Sequence, residues 1–351
     1  MFWTAFSSGG RKVFFDYYCQ FKEPKDYRPR ESVRPEFQLS EQDIKFFYEN
    51  GYLGPFDLMS PEQAENLRHD LLNSVSNTES FLANNYQFEE EKNITEGLLP
   101  VAKNARNKIT EEYKKTGLNR YNTFINRHLD NSKIRDLFKL PEITERCAQL
   151  LGPDLILWRS AFFNVSPHSK GTQLHQNSTW LYQDMRESVV NPPRTDELYQ
   201  ITCWVALTEA NEKNGCMTLV PGTHKEMVPL KLGEKSIYEA ENFRLYGNSF
   251  FAELDYPVDS AEKKSIEMKA GQFFLFCERV IHGSVDNTTE DSRWAISGRF
   301  VRTDTRIYTQ EVLEKGHRET LYNIKNISLD DWKVVLIPGK DRFGYNRLLK
   351  D

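Results

Sequence analysis

GTQLHQNSTW, residues Gly171 to Trp180, carries His175, Gln176 and Asn177 and sits among five strand-like runs. These are LILWRSAFFNV from Leu155, YQITCWVALTEA from Tyr199, GCMTLVPGTH from Gly215, SIEMKAGQFFLF from Ser265 and SRWAISGRFVRT from Ser292. Turn signals at Asn214-Gly215, Pro221-Gly222 and Ala270-Gly271 separate several of them. Apolar runs of this length, rich in β-branched and aromatic residues and punctuated by glycine, predict a barrel or jelly roll.

A different pattern precedes the strands. Ser40 to Asp43 predicts a capping box, in which a serine cap is followed three residues on by an acidic group. A helix follows it and stops at Gly51. A second helix is predicted from Ser60, with Pro61 in its first turn. LPEITERCAQLL reads as a third, closed by Gly152-Pro153, and NARNKITEEYKK in the polar stretch 85–118 as a fourth. The expected organisation is an N-terminal extension (1–40) and one domain (41–351). That domain divides into a helical block (41–152), a jelly-roll core (153–310) and a C-terminal segment (311–351). The expected class is mainly β with surrounding helices.

Composition narrows the functions. The chain has 351 residues, 39% of them hydrophobic and 13% aromatic, enough for a substantial core. A net charge of -5 argues against nonspecific nucleic-acid binding. Five scattered cysteines, three inside apolar runs, suggest buried free thiols and a cytoplasmic location. No apolar run is long enough to span a membrane.

The chemistry lies in the histidines. His175 is matched by a second, His282, in FFLFCERVIHGSVDNTTEDSRWAISGRF, with Arg293 and Arg299 further along the same stretch. Two histidines and a carboxylate form the facial triad that binds Fe(II) and leaves coordination positions open. A bidentate 2-oxoacid and O2 would take those positions. Arg293 is placed to bind the far carboxylate of the 2-oxoacid through its planar fork. Where the triad has its carboxylate, this chain has Asn177.

GYLGPFDLMSPEQ, NRHLD, LGPDLILWRSAFF, GTQLHQN, ITCWVALTEANEKNGCMTLVPGTH, MKAGQFFLF and GYNRL together resemble the phytanoyl-CoA dioxygenase superfamily over roughly residues 45–348. They are most similar to its chlorinating, syringomycin-type branch. The resemblance implies a double-stranded β-helix (cupin-like jelly roll) and the use of Fe(II), 2-oxoglutarate and O2. It implies that His175 and His282 bind iron and that Arg293 pairs with the 2-oxoglutarate tail. Thr172 and Trp204 would line the cosubstrate, and Thr202 and Arg299 would lie near a halide and its waters. In that branch a small residue replaces the carboxylate and chloride fills the gap. Asn177 is not small, and Trp180 and Tyr182 also depart from that branch.

Three readings of Asn177 stay open. It turns aside and chloride or bromide binds iron; its amide oxygen ligates iron; or the site has lost its chemistry and the chain binds without catalysis. Asp184 and Glu187 are replacement carboxylates if the chain folds back. The favoured activity is halogenation of an unactivated C–H bond in a small or carrier-protein-tethered substrate, with hydroxylation, desaturation or cyclisation as alternatives.

Overall fold

A computed structural model describes residues 2–14, 16, 20–77, 86–88, 124–180, 187–232, 252–319, 324–337 and 339–350. Nine strands frame the functional region: β1 (Tyr52–Asp57), β2 (Leu155–Val165), β3 (Gln200–Ala206), β4 (Met217–Val220), β5 (Lys264–Ile266), β6 (Gln272–Phe276), β7 (Ile281–Ser284), β8 (Arg293–Arg302) and β9 (Val335–Leu336). A six-stranded antiparallel sheet has the order β9-β2-β8-β3-β6-β1. A smaller sheet has the order β5-β4-β7. His175 extends it, because a bridge joins His175 to His282 on β7. Two antiparallel sheets packed in this way form the expected jelly roll.

Strand alternation divides the large sheet into two faces. Cys203, Val205, Phe273, Leu275, Ile296 and Phe300 belong to a core packed with Phe47, Phe138, Ile143 and Leu150 from the helices. Trp204, Ala206, Phe274, Phe276 and Ala295 turn the other way, into a second core with Met217, Leu219 and Ile266 of the small sheet. Both faces are covered, which explains why the strands read as continuous apolar runs. The same alternation sends Thr202, Arg293 and Arg299 to the inner side, with Trp204.

The helices follow their local signals. α1 (Glu41–Asn50) begins with the capping box: Ser40 Oγ accepts from Asp43 N, and the Asp43 carboxylate accepts from Ser40 N. It ends at Gly51, whose φ of 85° is left-handed. α2 is Pro61–Asn77, and α4 is Pro141–Leu151, with Gly152 as its cap. Among the elements that escape the sequence reading are one strand and one helix. β1 contains Gly54-Pro55, which reads as a turn, yet an edge strand tolerates proline because one side of it needs no ladder bond. α3 (Ser132–Lys139) is capped by Asn131, which accepts from Lys133 N and Ile134 N. The helix expected in 104–115 lies outside the described residues.

Described residues between 20 and 40 lie along the body. Phe21 N donates to Lys225 O, Lys22 N to Asp196 O and Arg30 N to Gln149 O. Asp16 reaches furthest inward: its carboxylate accepts from both the backbone N–H (2.8 Å) and the hydroxyl of Thr179. Cys147, Cys203, Cys216 and Cys277 are buried and form no disulfide. Among the described residues, no helix is long and apolar enough to cross a membrane.

Two histidines away from the inner cavity are structural. His128 is fully buried against Ser160 Oγ, and His224 donates from Nε2 to Tyr48 O. Burial pushes their pKa values down to about 3 and about 4. In an unfolded chain an imidazole titrates near about 6.5. Between those limits the unfolded chain takes up protons that the folded one refuses. Stability is therefore full above that value and falls as the pH drops toward 4. Scanning calorimetry should show Tm falling on acidification from pH 7 to 5; a flat Tm would contradict the burial of these neutral rings.

Candidate metal and cosubstrate centre

His175 and His282 face each other across the edge of the small sheet. Each backbone N–H donates to the other's carbonyl at 2.9 Å, and their ring centroids are 4.3 Å apart. Gly283 makes this approach feasible, since a Cβ there would stand 2.5 Å from Thr172 O. His175 Nδ1 lies 2.9 Å from Gln173 O, and His282 Nδ1 lies 2.8 Å from Val280 O. A carbonyl only accepts, so both Nδ1 atoms must carry the proton. Both Nε2 atoms then hold a lone pair with no hydrogen-bond partner, the tautomer a metal ligand needs. Burial lowers both pKa values, that of His282 to about 3 with help from the neighbouring His175. Both rings are neutral at pH 7 and ready to bind a cation.

Arg293, at the start of β8, is only 2% exposed. Its Nε donates to Gly215 O at 2.9 Å, while Nη1 is buried without a partner. Burial lowers its pKa to about 10, still leaving it charged at pH 7. A buried cation with an unused donor is costly unless an anion meets it. Its guanidinium lies 5.1 Å from the Trp204 ring centre. Trp204 packs on Phe274, Phe274 stacks on Phe276, and Phe276 contacts His282. A run of aromatic rings therefore connects the arginine to the histidine pair.

The remaining expected residues separate. Trp204 is buried below Arg293. Thr172 sits on the rim with an exposed side chain, its backbone N–H and carbonyl bonded to Ser284. Thr202 and Arg299 are direct cross-strand partners on β3 and β8, and they converge on a group the sequence reading missed. That group is Glu278, 2% exposed. Its Oε1 accepts from Thr202 Oγ1 at 2.5 Å and from Arg299 Nε at 2.7 Å; its Oε2 is buried without a hydrogen-bond partner. Burial would raise the Glu278 pKa, but Arg299 and the Thr202 hydroxyl outweigh it and hold the carboxyl below its ordinary value. The visible signal was a lone acid inside FFLFCERVIH, since a charge in an apolar run implies a buried partner.

Asn177 is half-buried, and its backbone N–H donates to Glu278 O at 3.0 Å. Gln176 turns away and stitches the loop. Its amide nitrogen lies within 3.1 Å of the carbonyls of Thr223, Glu226 and Arg279, and its carbonyl accepts from Val228 N. Trp180 adopts a left-handed φ of 58°, uncommon for a bulky residue. Its ring lies between the guanidinia of Arg159 (5.0 Å) and Arg299 (4.8 Å), a double cation–π contact. Asp184 and Tyr182 lie outside the described residues. Glu187 is exposed and lines a surface hollow with Arg306 and Tyr345, so it is no substitute ligand. Among the described residues, no three His, Cys, Asp or Glu side chains form a ready metal site.

The two sheets and the paired histidines at their edge define the double-stranded β-helix class. The chain belongs to the phytanoyl-CoA dioxygenase (PhyH) family, whose sequence model matches residues 47–295. It is 25% identical over 304 residues to peroxisomal phytanoyl-CoA dioxygenase of Bos taurus, covering 84% of this chain and 80% of that one. The human protein of the same name is 26% identical over 229 residues, covering 60% of this chain. That match spans 63% of the human protein's length, just under two thirds. Among solved structures, CytC3 with Fe(II) and alpha-ketoglutarate superposes with a TM-score of 0.58 at 22% identity, covering 89% of this chain and 94% of that one. EctD from S. alaskensis with bound Fe gives 0.54 at 15%, covering 84% and 87%. These structures share the fold.

Proposed function

We propose that this chain is an Fe(II)- and 2-oxoglutarate-dependent enzyme that oxidises an unactivated C–H bond of a small or carrier-tethered metabolite. The observation that carries the reading is the pairing of two metal-ready Nε2 atoms with one buried, incompletely partnered arginine. His175 and His282 would hold iron, with Gln173 O and Val280 O fixing each ring by its Nδ1–H. Arg293 would bind the far carboxylate of 2-oxoglutarate, with Trp204 packed beneath it. Iron bound with 2-oxoglutarate and O2 supplies the oxidising power for abstracting hydrogen from carbon.

Oxygen transfer is the outcome the site favours. Arg299 donates from Nε to Glu278, so part of its charge is answered by a carboxylate of the protein before any halide enters. Halogen transfer is the second reading, supported by the missing carboxylate at Asn177. Anaerobic addition of Fe(II) and 2-oxoglutarate should give a weak visible charge-transfer band, and turnover should yield succinate. No band at saturating concentrations would overturn the assignment and favour a non-catalytic binding protein. A product with the same mass in halide-free, chloride and bromide buffers would remove the halogenase reading.

A further inference from the structure

Position 177 lacks the charge that a facial triad would place there, yet a carboxylate stands on the adjoining chain. Glu278 lies opposite Asn177, joined to it by the backbone bond from Asn177 N–H to Glu278 O. Its side chain is anchored at one oxygen by Thr202 and Arg299 and has a second oxygen with no hydrogen-bond partner. It acts electrostatically on both His175 and His282. An ionised carboxylate at 2% exposure persists only beside compensating positive charge. Arg299 provides part of it, and a cation on the two imidazoles would provide more.

We infer that Glu278 is this centre's built-in anion, closing the space around Thr202 and Arg299 to any external halide. The inference rests on the iron reading above. Charge accounting supports it. Two neutral imidazoles, Fe(II) and a 2-oxoglutarate dianion sum to zero, and Glu278 with Arg299 sums to zero again. A halide entering this region would have to compete with the Glu278 carboxylate for the Arg299 charge, in a medium of low polarity where like-charge repulsion at short range is strong. Removing that charge takes from Arg299 the carboxylate that its Nε donates to, a change that favours entry of another anion. Asn177 then needs no truncation to make room, because no anion is admitted beside it.

The test is a bromide titration of the anaerobic Fe(II)–2-oxoglutarate complex, followed by the position of its visible band and by calorimetry. The native protein should show no bromide-dependent shift across the millimolar range. Glu278→Ala should show a saturable shift and bind bromide at least about tenfold more tightly, roughly 1.4 kcal/mol. Glu278→Gln keeps the shape and removes the charge. It should also gain bromide binding, and it carries the test if the alanine variant does not fold. Native protein that binds bromide as tightly as the variants would overturn the inference, as would variants that bind none. A band missing from all three proteins would overturn the iron reading itself and this inference with it, a result distinct from bands that form but ignore bromide.

Discussion

Arg293→Ala should raise the dissociation constant for 2-oxoglutarate by about 30-fold to several thousand-fold. The estimate follows from the cost of removing one partner from a buried charge pair, about 2–5 kcal/mol, with each 1.4 kcal/mol worth roughly tenfold. Arg293→Lys should fall between, because an ammonium keeps the charge but cannot reproduce the planar fork. The metal-free, ligand-free protein should behave differently. There Arg293 is a desolvated cation with an idle Nη1, so its loss removes a burial cost while stranding Gly215 O. Its Tm should change little, while the rise in Tm caused by 2-oxoglutarate in the native protein should disappear. Calorimetric titration and thermal scans separate the two effects. Unchanged 2-oxoglutarate affinity in the alanine variant would sink the role assigned to Arg293.

His282→Ala should abolish stoichiometric Fe(II) binding, and His175→Ala should do the same. Loss of an outer partner of a metal ligand typically costs about 10–100-fold in affinity, so loss of the ligand itself should exceed that. Asn177→Ala distinguishes what the sequence left open. If the amide oxygen ligates iron, Fe(II) affinity should drop by about tenfold or more; if Asn177 is a bystander, the change should stay within about threefold, under about 1 kcal/mol. Anaerobic competition against a chromogenic chelator measures all three variants. Native-like Fe(II) affinity in both histidine variants would place the metal elsewhere.

Much of this architecture could be read from local pattern. The runs from Leu155, Tyr199, Gly215, Ser265 and Ser292 each contain a strand, because burial on both faces writes an uninterrupted apolar signal. The caps at Ser40, Gly51 and Gly152 were equally local. β1 was hidden because its Gly-Pro pair carries a turn signature that only its edge position overrides. The histidines and Arg293 were legible as residue types, but their readiness was not. It depends on which carbonyl each Nδ1 meets and on a donor left without a partner. Glu278 was missed for a related reason. Its partners, Thr202 and Arg299, come from β3 and β8, and nothing in the chain order announces that they share one carboxylate oxygen. The Thr202–Arg299 pair was expected beside a halide; the fold puts a carboxylate between them.

The link between Asp16 and Thr179 gives the amino-terminal arm a mechanical meaning. Thr179 is two residues beyond Asn177 on the loop that carries His175, and its amide and hydroxyl are both held by a side chain outside the family-matched region 47–295. The arm is therefore tied to the loop proposed to hold the metal. An event that displaces it would release the amide and hydroxyl of Thr179, four residues beyond His175. The stretch matched by the family model and the stretch that holds the candidate site in place therefore do not coincide.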